Sequence, residues 1–191
     1  MDNLDPYQER YLKHQERKKR IIVGEEQEEV RTMPFSNKYA MEIFAEISQS
    51  RTSHRIYSGE EITREELGII KIMSDTCPSS CARKAVDIQI IDDKEDIREL
   101  EGLLVGGANW SGKADKMVLL WADMQAYKSP NEIDFMPYLD AGVKIQQIYI
   151  TCTALGIKCC YINPNIREEN KEVFKNKFGD KRFCGAFALG R

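Results

Sequence analysis

Histidine is nearly absent from this chain: His14 and His54 are the only two in 191 residues, and the six cysteines form no Cys-x-x-Cys pair. That leaves too few soft ligands at workable spacing for a zinc site. No apolar run is long enough to cross a bilayer, and the first residues are charged where a secretory leader would be apolar. Positive charge is not in excess either. Lys and Arg number 28 against 31 Asp and Glu, a net charge of -3, so the electrostatic footprint of a nucleic-acid binder is missing. There is no Walker loop, no dinucleotide fingerprint, no internal repeat and no low-complexity linker. These absences predict a single cytoplasmic domain without a metal, membrane or nucleic-acid partner, its thiols buried and reduced.

What is present begins with charge. Residues 1–33 are dense in charged helix formers, and Leu4, Tyr7 and Tyr11 recur at helical spacing as a thin apolar stripe. Such an arm either packs on a partner subunit or stays solvated. Its basic Lys18-Lys19-Arg20 run is offset by the acidic stretch Glu25 to Glu29, and Pro34 closes it. Residues 34–191 then form the domain proper.

Ser36 or Asn37 caps a helix reaching about Ser50. Thr63 and Glu66 make a capping box for the next helix, with Leu67, Ile70 and Met73 on its inner side. Pro78 takes Cys77 out of helical geometry and opens a loop. Residues 86–92 alternate as a strand with one wet face. A helix carrying Ile97, Leu100 and Leu104 leads into the glycine-rich loop 106–113, whose Trp110 is a packing residue or a substrate platform. Residues 116–122, KMVLLWA, are apolar nearly throughout, as a strand covered on both faces would be. Tyr138 to Leu155 is a helix closed by Gly156, and it is apolar on several sides, so a core or a subunit interface must enclose it. Then come a strand over 158–162 and the turn Asn163-Pro164-Asn165. A helix follows, capped by Asn165 with Glu168 and carrying Val173, Phe174 and Phe178 inward, and the last strand is 182–190. Alternation of helix and strand, taken alone, favours a doubly wound parallel sheet.

Three segments point elsewhere. SRTSHRIY (50–57) places Arg51, Ser53 and Arg55 at a helix end, a donor set suited to a phosphate. Cys77-Pro78-Ser79-Ser80 follows the next helix, and DAGVKIQQIYITCTALGIKCCYIN (140–163) joins a central helix to a strand. In this order and spacing, from about residue 44 onward, the chain resembles the FMN-dependent nitroreductase family. The resemblance implies an α+β fold: a mixed, largely antiparallel central sheet flanked by helices, in a homodimer that holds FMN at the subunit interface. It implies that Arg51, Ser53 and Arg55 hold the phosphate and ribityl chain from one subunit, with Arg191 as a further phosphate ligand. Pro78, Ser79 and Ser80 would approach the flavin from the other subunit. Backbone at Ile162 and Asn163 would line the ring, the Asn163 N–H near N5. NAD(P)H and a small electrophile, a nitroaromatic or a quinone, would use one open face in turn. Thr52 stands where the family often has a second basic residue, and Ala82 where it usually carries Asn. No acid–base pair or activated nucleophile is expected, since the hydride chemistry belongs to the cofactor, and His54 is expected to be a surface residue.

Overall fold

The computed structural model describes residues 6–24, 36–179 and 181–191. Leu4, the Glu25 to Glu29 stretch and Pro34 lie outside them, as does the side chain of Tyr7. Six helices and four strands follow in the order α1 (Pro6–Ile22), α2 (Asn37–Ser50), α3 (Arg64–Thr76), β1 (Val86–Ile91), α4 (Lys94–Leu103), β2 (Lys116–Ala122), α5 (Met136–Ala154), β3 (Lys158–Ile162), α6 (Lys171–Phe178) and β4 (Arg182–Gly190).

The strands form one sheet in the order β1-β2-β4-β3, and all three pairings are antiparallel. The α+β class implied by the family resemblance holds, with an antiparallel sheet throughout the described strands. The parallel arrangement suggested by alternation is overturned, and the reason lies in the connection after β1. α4 runs about 15 Å, and residues 104–115 travel back the same way. β2 therefore starts where β1 ended, with Met117 opposite Ile91.

Alternation along the strands sorts the core into two layers. Ile88, Val118, Leu120, Cys159, Phe187 and Leu189 meet α3 and α5 through Ile70, Ile148 and Cys152. Met117, Leu119, Ala186 and Ala188 meet Ile97 and Leu100 of α4 and Phe174 of α6. Every residue of β2 is buried, as a strand covered on both faces requires. β4, apolar at every position after Arg182, carries a bulge. Gly185 sits at φ +108, and the irregularity between Leu119 and Trp121 returns Phe183 to the same layer as Ala186.

Local signals set the helix ends. Ser36 accepts from the Tyr39 N–H, Thr63 and Glu66 close a reciprocal capping box, and Asp93 accepts from the N–H groups of Glu95 and Asp96. α5 begins two residues earlier than its periodicity suggests and ends before Gly156 at φ +68. The expected Asn165 cap does not form. Residues 165–167 instead pair with 103–105: the Asn165 carbonyl accepts from the Val105 N–H at 2.9 Å, and the Arg167 N–H donates to the Leu103 carbonyl at 3.0 Å. Of the three residues expected on the inner side of α6, Phe174 is buried and Phe178 half-buried, whereas Val173 is exposed.

α1 lies against its own chain. The Arg10 guanidinium donates to the Arg83 carbonyl at 2.8 Å, and the Arg83 guanidinium sits 5.9 Å over the Tyr11 ring. α2 buries none of its residues, although Met41 and Phe44 are 62% and 53% exposed.

Candidate anion site at the sheet edge

β3 is an edge strand, and its outer rim is covered by the segment after α2. The His54 N–H donates to the Cys159 carbonyl at 3.0 Å, and the Ser58 N–H to the Arg191 carbonyl at 2.5 Å. Between them Tyr57 turns inward and donates its hydroxyl toward the carbonyls of His54 and Ala188. Burial pushes the Tyr57 phenol well above its ordinary pKa range, so it stays a neutral donor.

This tether fixes where Arg51, Ser53 and Arg55 lie. The Arg51 guanidinium sits 5.2 Å from the centroid of Tyr149 on α5, and that of Arg55 5.5 Å from Trp110 in the glycine-rich loop. Ser53 Oγ lies 3.2 Å from the Tyr149 hydroxyl, which also accepts from the Tyr161 N–H at 2.8 Å. Neither arginine pairs with a carboxylate among the described residues. His54 is exposed and shares a 2.7 Å hydrogen bond with Thr52, as a surface histidine would.

The same rim carries Ile162 and Asn163. Ile162 is buried beneath the loop, and a Cβ at Gly107 (φ +89) would come within 2.9 Å of its Cδ1. A Cβ at Gly106 would lie 3.0 Å from Ile162 Cγ2 and 4.0 Å from the Asn163 nitrogen. The paired glycines let the loop lie flat on these two residues. Cys160 lies in the middle of the cluster. Burial raises its thiol pKa, against the lowering effects of the Arg55 guanidinium and the hydroxyls of Ser53 and Tyr149. It is a thiol here, not a thiolate nucleophile.

Arg191 follows β4 and is engaged: its guanidinium pairs with Glu66 and reaches the Leu155 carbonyl at 3.4 Å. Pro78, Ser79 and Ser80 are at the far end of α5. The Ser80 N–H donates to Asp140 Oδ1 at 2.8 Å, and Asp140 precedes Tyr149 by nine positions, about 13 Å of helix. The chain lines Arg51, Ser53, Arg55, Ile162 and Asn163 along the β3 edge, ties Arg191 to Glu66 and the Leu155 carbonyl, and keeps residues 78–80 apart. Helical spacing places Tyr149 only among the apolar positions of α5, and in a helix that also carries Asp140, Lys144, Gln146, Gln147, Thr151 and Thr153 its hydroxyl gives no distinct signal.

The loop after Ser80 is strained. Cys81, Ala82 and Lys84 all adopt left-handed backbone, at φ 50, 56 and 55. Lys84 holds it closed, donating its ammonium to the Asp75 carbonyl at 2.9 Å and also to that of Cys77, while its N–H donates to Ser79 Oγ at 2.9 Å. A cavity of about 860 Å³ opens beside this loop, lined by Lys71, Asp75, Lys84, Asp87 and Trp121. Its lining charges largely satisfy one another, Lys71 with both Asp75 and Asp87, which leaves the sheet edge as the better anion site.

This four-stranded antiparallel sheet, with α3 and α5 on one face and α4 and α6 on the other, matches the fold of solved nitroreductase-family structures. Three solved structures illustrate the likeness. A Clostridium acetobutylicum protein named as an NADH oxidase is 18% identical, with TM-score 0.66 over 75% of this chain and 86% of that one. NfrA2 of B. megaterium is 22% identical, with TM-score 0.67 over 77% of this chain and 65% of that one. A Desulfitobacterium hafniense nitroreductase with bound FMN is 19% identical, with TM-score 0.61 over 77% and 87%. At such identities the shared property is the fold. No protein-family model matches the sequence, and no curated protein does.

Two guanidinium groups without carboxylate partners among the described residues, and a hydroxyl between them in sequence, are a donor set suited to a phosphate, which carries ~2 negative charges.

Proposed function

We propose that the chain is a homodimeric, FMN-dependent oxidoreductase. It uses NAD(P)H to reduce a small electrophile, such as a nitroaromatic or a quinone, in ping-pong order. The observation that carries this reading is the state of Arg51 and Arg55: charged, held over aromatic rings, and unpaired with any carboxylate among the described residues. Each charge-assisted hydrogen bond they give a phosphate contributes about 1.5–3 kcal/mol. When bound, FMN supplies the hydride chemistry. The chain holds it: Arg51, Ser53 and Arg55 at the phosphate and ribityl end, the backbone of Ile162 and Asn163 along the ring. Arg191, its charge already met by Glu66, is the weaker phosphate ligand.

Pro78, Ser79 and Ser80 contribute from the second protomer, which suits their separation from the arginines within one chain. Dimerisation is supported by the unburied α2 and by Leu139 and Val143 of α5, 57% and 42% exposed on the central helix. In this reading residues 34–191 are the cofactor-binding domain and residues 1–33 an appended arm. The cytoplasm, where thiols stay reduced, suits six free cysteines. None of the helices among the described residues is long and apolar enough to cross a membrane.

A second reading, a dimer that keeps the scaffold as a binding module without reductase activity, draws on the loop at 79–84. Ser79 Oγ and the Ser80 N–H are already bonded within the chain, and Ala82 offers no polar side chain. One experiment separates the two. Purified protein is mixed with FMN, gel-filtered, and assayed for NADH and NADPH oxidation with benzoquinone. Yellow protein that consumes the nicotinamide supports the enzyme; colourless protein that takes up no FMN overturns it.

A further inference from the structure

We propose that Tyr149 and Trp110 are positioning residues that hold Arg51 and Arg55 ready for the phosphate; this rests on the flavin reading above. An arginine on an exposed segment carries about 2 kcal/mol of rotamer entropy, and two of them freely moving would spend much of that on meeting one anion. Here each planar guanidinium lies over a ring, at 5.2 Å for Arg51 and 5.5 Å for Arg55. Neither guanidinium gives a hydrogen bond or ion pair among the described residues, and a cation held by a ring face keeps its N–H donors for an anion.

Both platforms are themselves fixed. The Tyr149 ring packs edge-on against Phe187, with centroids 4.9 Å apart, and its hydroxyl accepts from the Tyr161 N–H at 2.8 Å. That hydroxyl lies 3.2 Å from Ser53 Oγ, so one residue of α5 touches two of the four proposed phosphate ligands. Trp110 packs against the layer formed with α4 and α6. Its backbone N–H donates to the Gly107 carbonyl at 3.2 Å, within the loop that lies on Ile162. The two rings thus tie the arginine segment to two separate layers of the core, one on each side of β3.

This is a claim about phosphate recognition, so its readout is the preference for FMN over riboflavin, which differ only by the phosphate. Full-length wild type, Trp110→Leu, Tyr149→Leu and Tyr149→Phe are titrated with each flavin by quenching of flavin fluorescence. A cation–π contact of ordinary strength predicts that each leucine variant lowers the FMN-to-riboflavin affinity ratio by about 3- to 30-fold. Tyr149→Phe, which keeps the ring under Arg51 and drops only the hydroxyl beside Ser53, loses less of the ratio than Tyr149→Leu. Loss of fold weakens both flavins together and leaves the ratio unmoved, so Trp110→Phe and Arg55→Lys are measured as well. Partial loss of the ratio with the first and full loss with the second support the platforms. Wild type that prefers FMN, with leucine and lysine variants that keep that preference, overturns this assignment alone. Wild type that takes up neither flavin overturns it together with the flavin reading.

Discussion

Tyr127 donates its hydroxyl to Asp140 Oδ2 at 2.8 Å, in the buried end of α5, while Oδ1 of the same carboxylate accepts from the Ser80 N–H at 2.8 Å. Burial first, and the hydrogen bond to Asp140 second, push the Tyr127 phenol far above its ordinary pKa. One carboxylate therefore joins the turn after β2 to the loop after α3. Replacing Asp140 with Ala leaves two donors unmet, each costing about 1–3 kcal/mol. The urea midpoint of Asp140→Ala falls accordingly, and Asp140→Asn, which can still accept one bond, loses less. Equal midpoints for the two variants would refute the bridge.

Asp115 gives a pH signature. Burial alone would raise its pKa, but the Ile62 N–H, at 2.7 Å, and the Lys94 ammonium, at 2.7 Å, bring it below the ordinary 3.8. A depressed carboxylate stabilises the fold above its unfolded pKa, and that contribution is lost as pH falls through the folded value. Asp115→Asn should be less stable than wild type by about 1–3 kcal/mol at pH 7. The difference shrinks toward zero below about pH 4. Urea titrations from pH 7 downward check it; a constant gap across that range contradicts the sign.

Met41→Glu with Phe44→Glu places two charges on α2 where no residue is buried in the single chain. For a monomer the change is nearly silent, within about 0.5 kcal/mol. In the proposed dimer it dissociates the protomers, and FMN is lost with them because residues 78–80 of the second protomer leave. Light scattering after gel filtration decides between these outcomes.

Gly185→Ala tests the bulge in β4. Its φ of +108 is costly for alanine, and a Cβ there would run into the Tyr161 hydroxyl and ring. Strain and crowding together destabilise by about 2–5 kcal/mol. A thermal melt unchanged by this substitution would mean the bulge relaxes freely.

The elements that could be read from the sequence are those set by neighbours along the chain. KMVLLWA announces a doubly covered strand, and Thr63 with Glu66 announces a helix start. Strand direction was legible only through the family resemblance, because helix–strand alternation along the chain favours a parallel sheet and says nothing of the return path of residues 104–115. Asn165 misled for a different reason. Its local capping chemistry was outbid by pairing with residues some sixty positions away, through the Leu104–Ile166 bridge. The arginine cluster was visible because its members span five residues. Its supports, Tyr149 and Trp110, belong to other elements, and the capture of Arg191 by Glu66 joins residues 125 positions apart.

Lys84 reaches back over the loop to the carbonyls that end α3, a cation at the negative pole of a helix. Residues 78–84 are thereby shaped during folding itself, without waiting for an occupant. Anything that comes to rest against Pro78, Ser79 or Ser80 meets a surface whose ordering entropy has already been spent, and retains more of its contact energy as affinity.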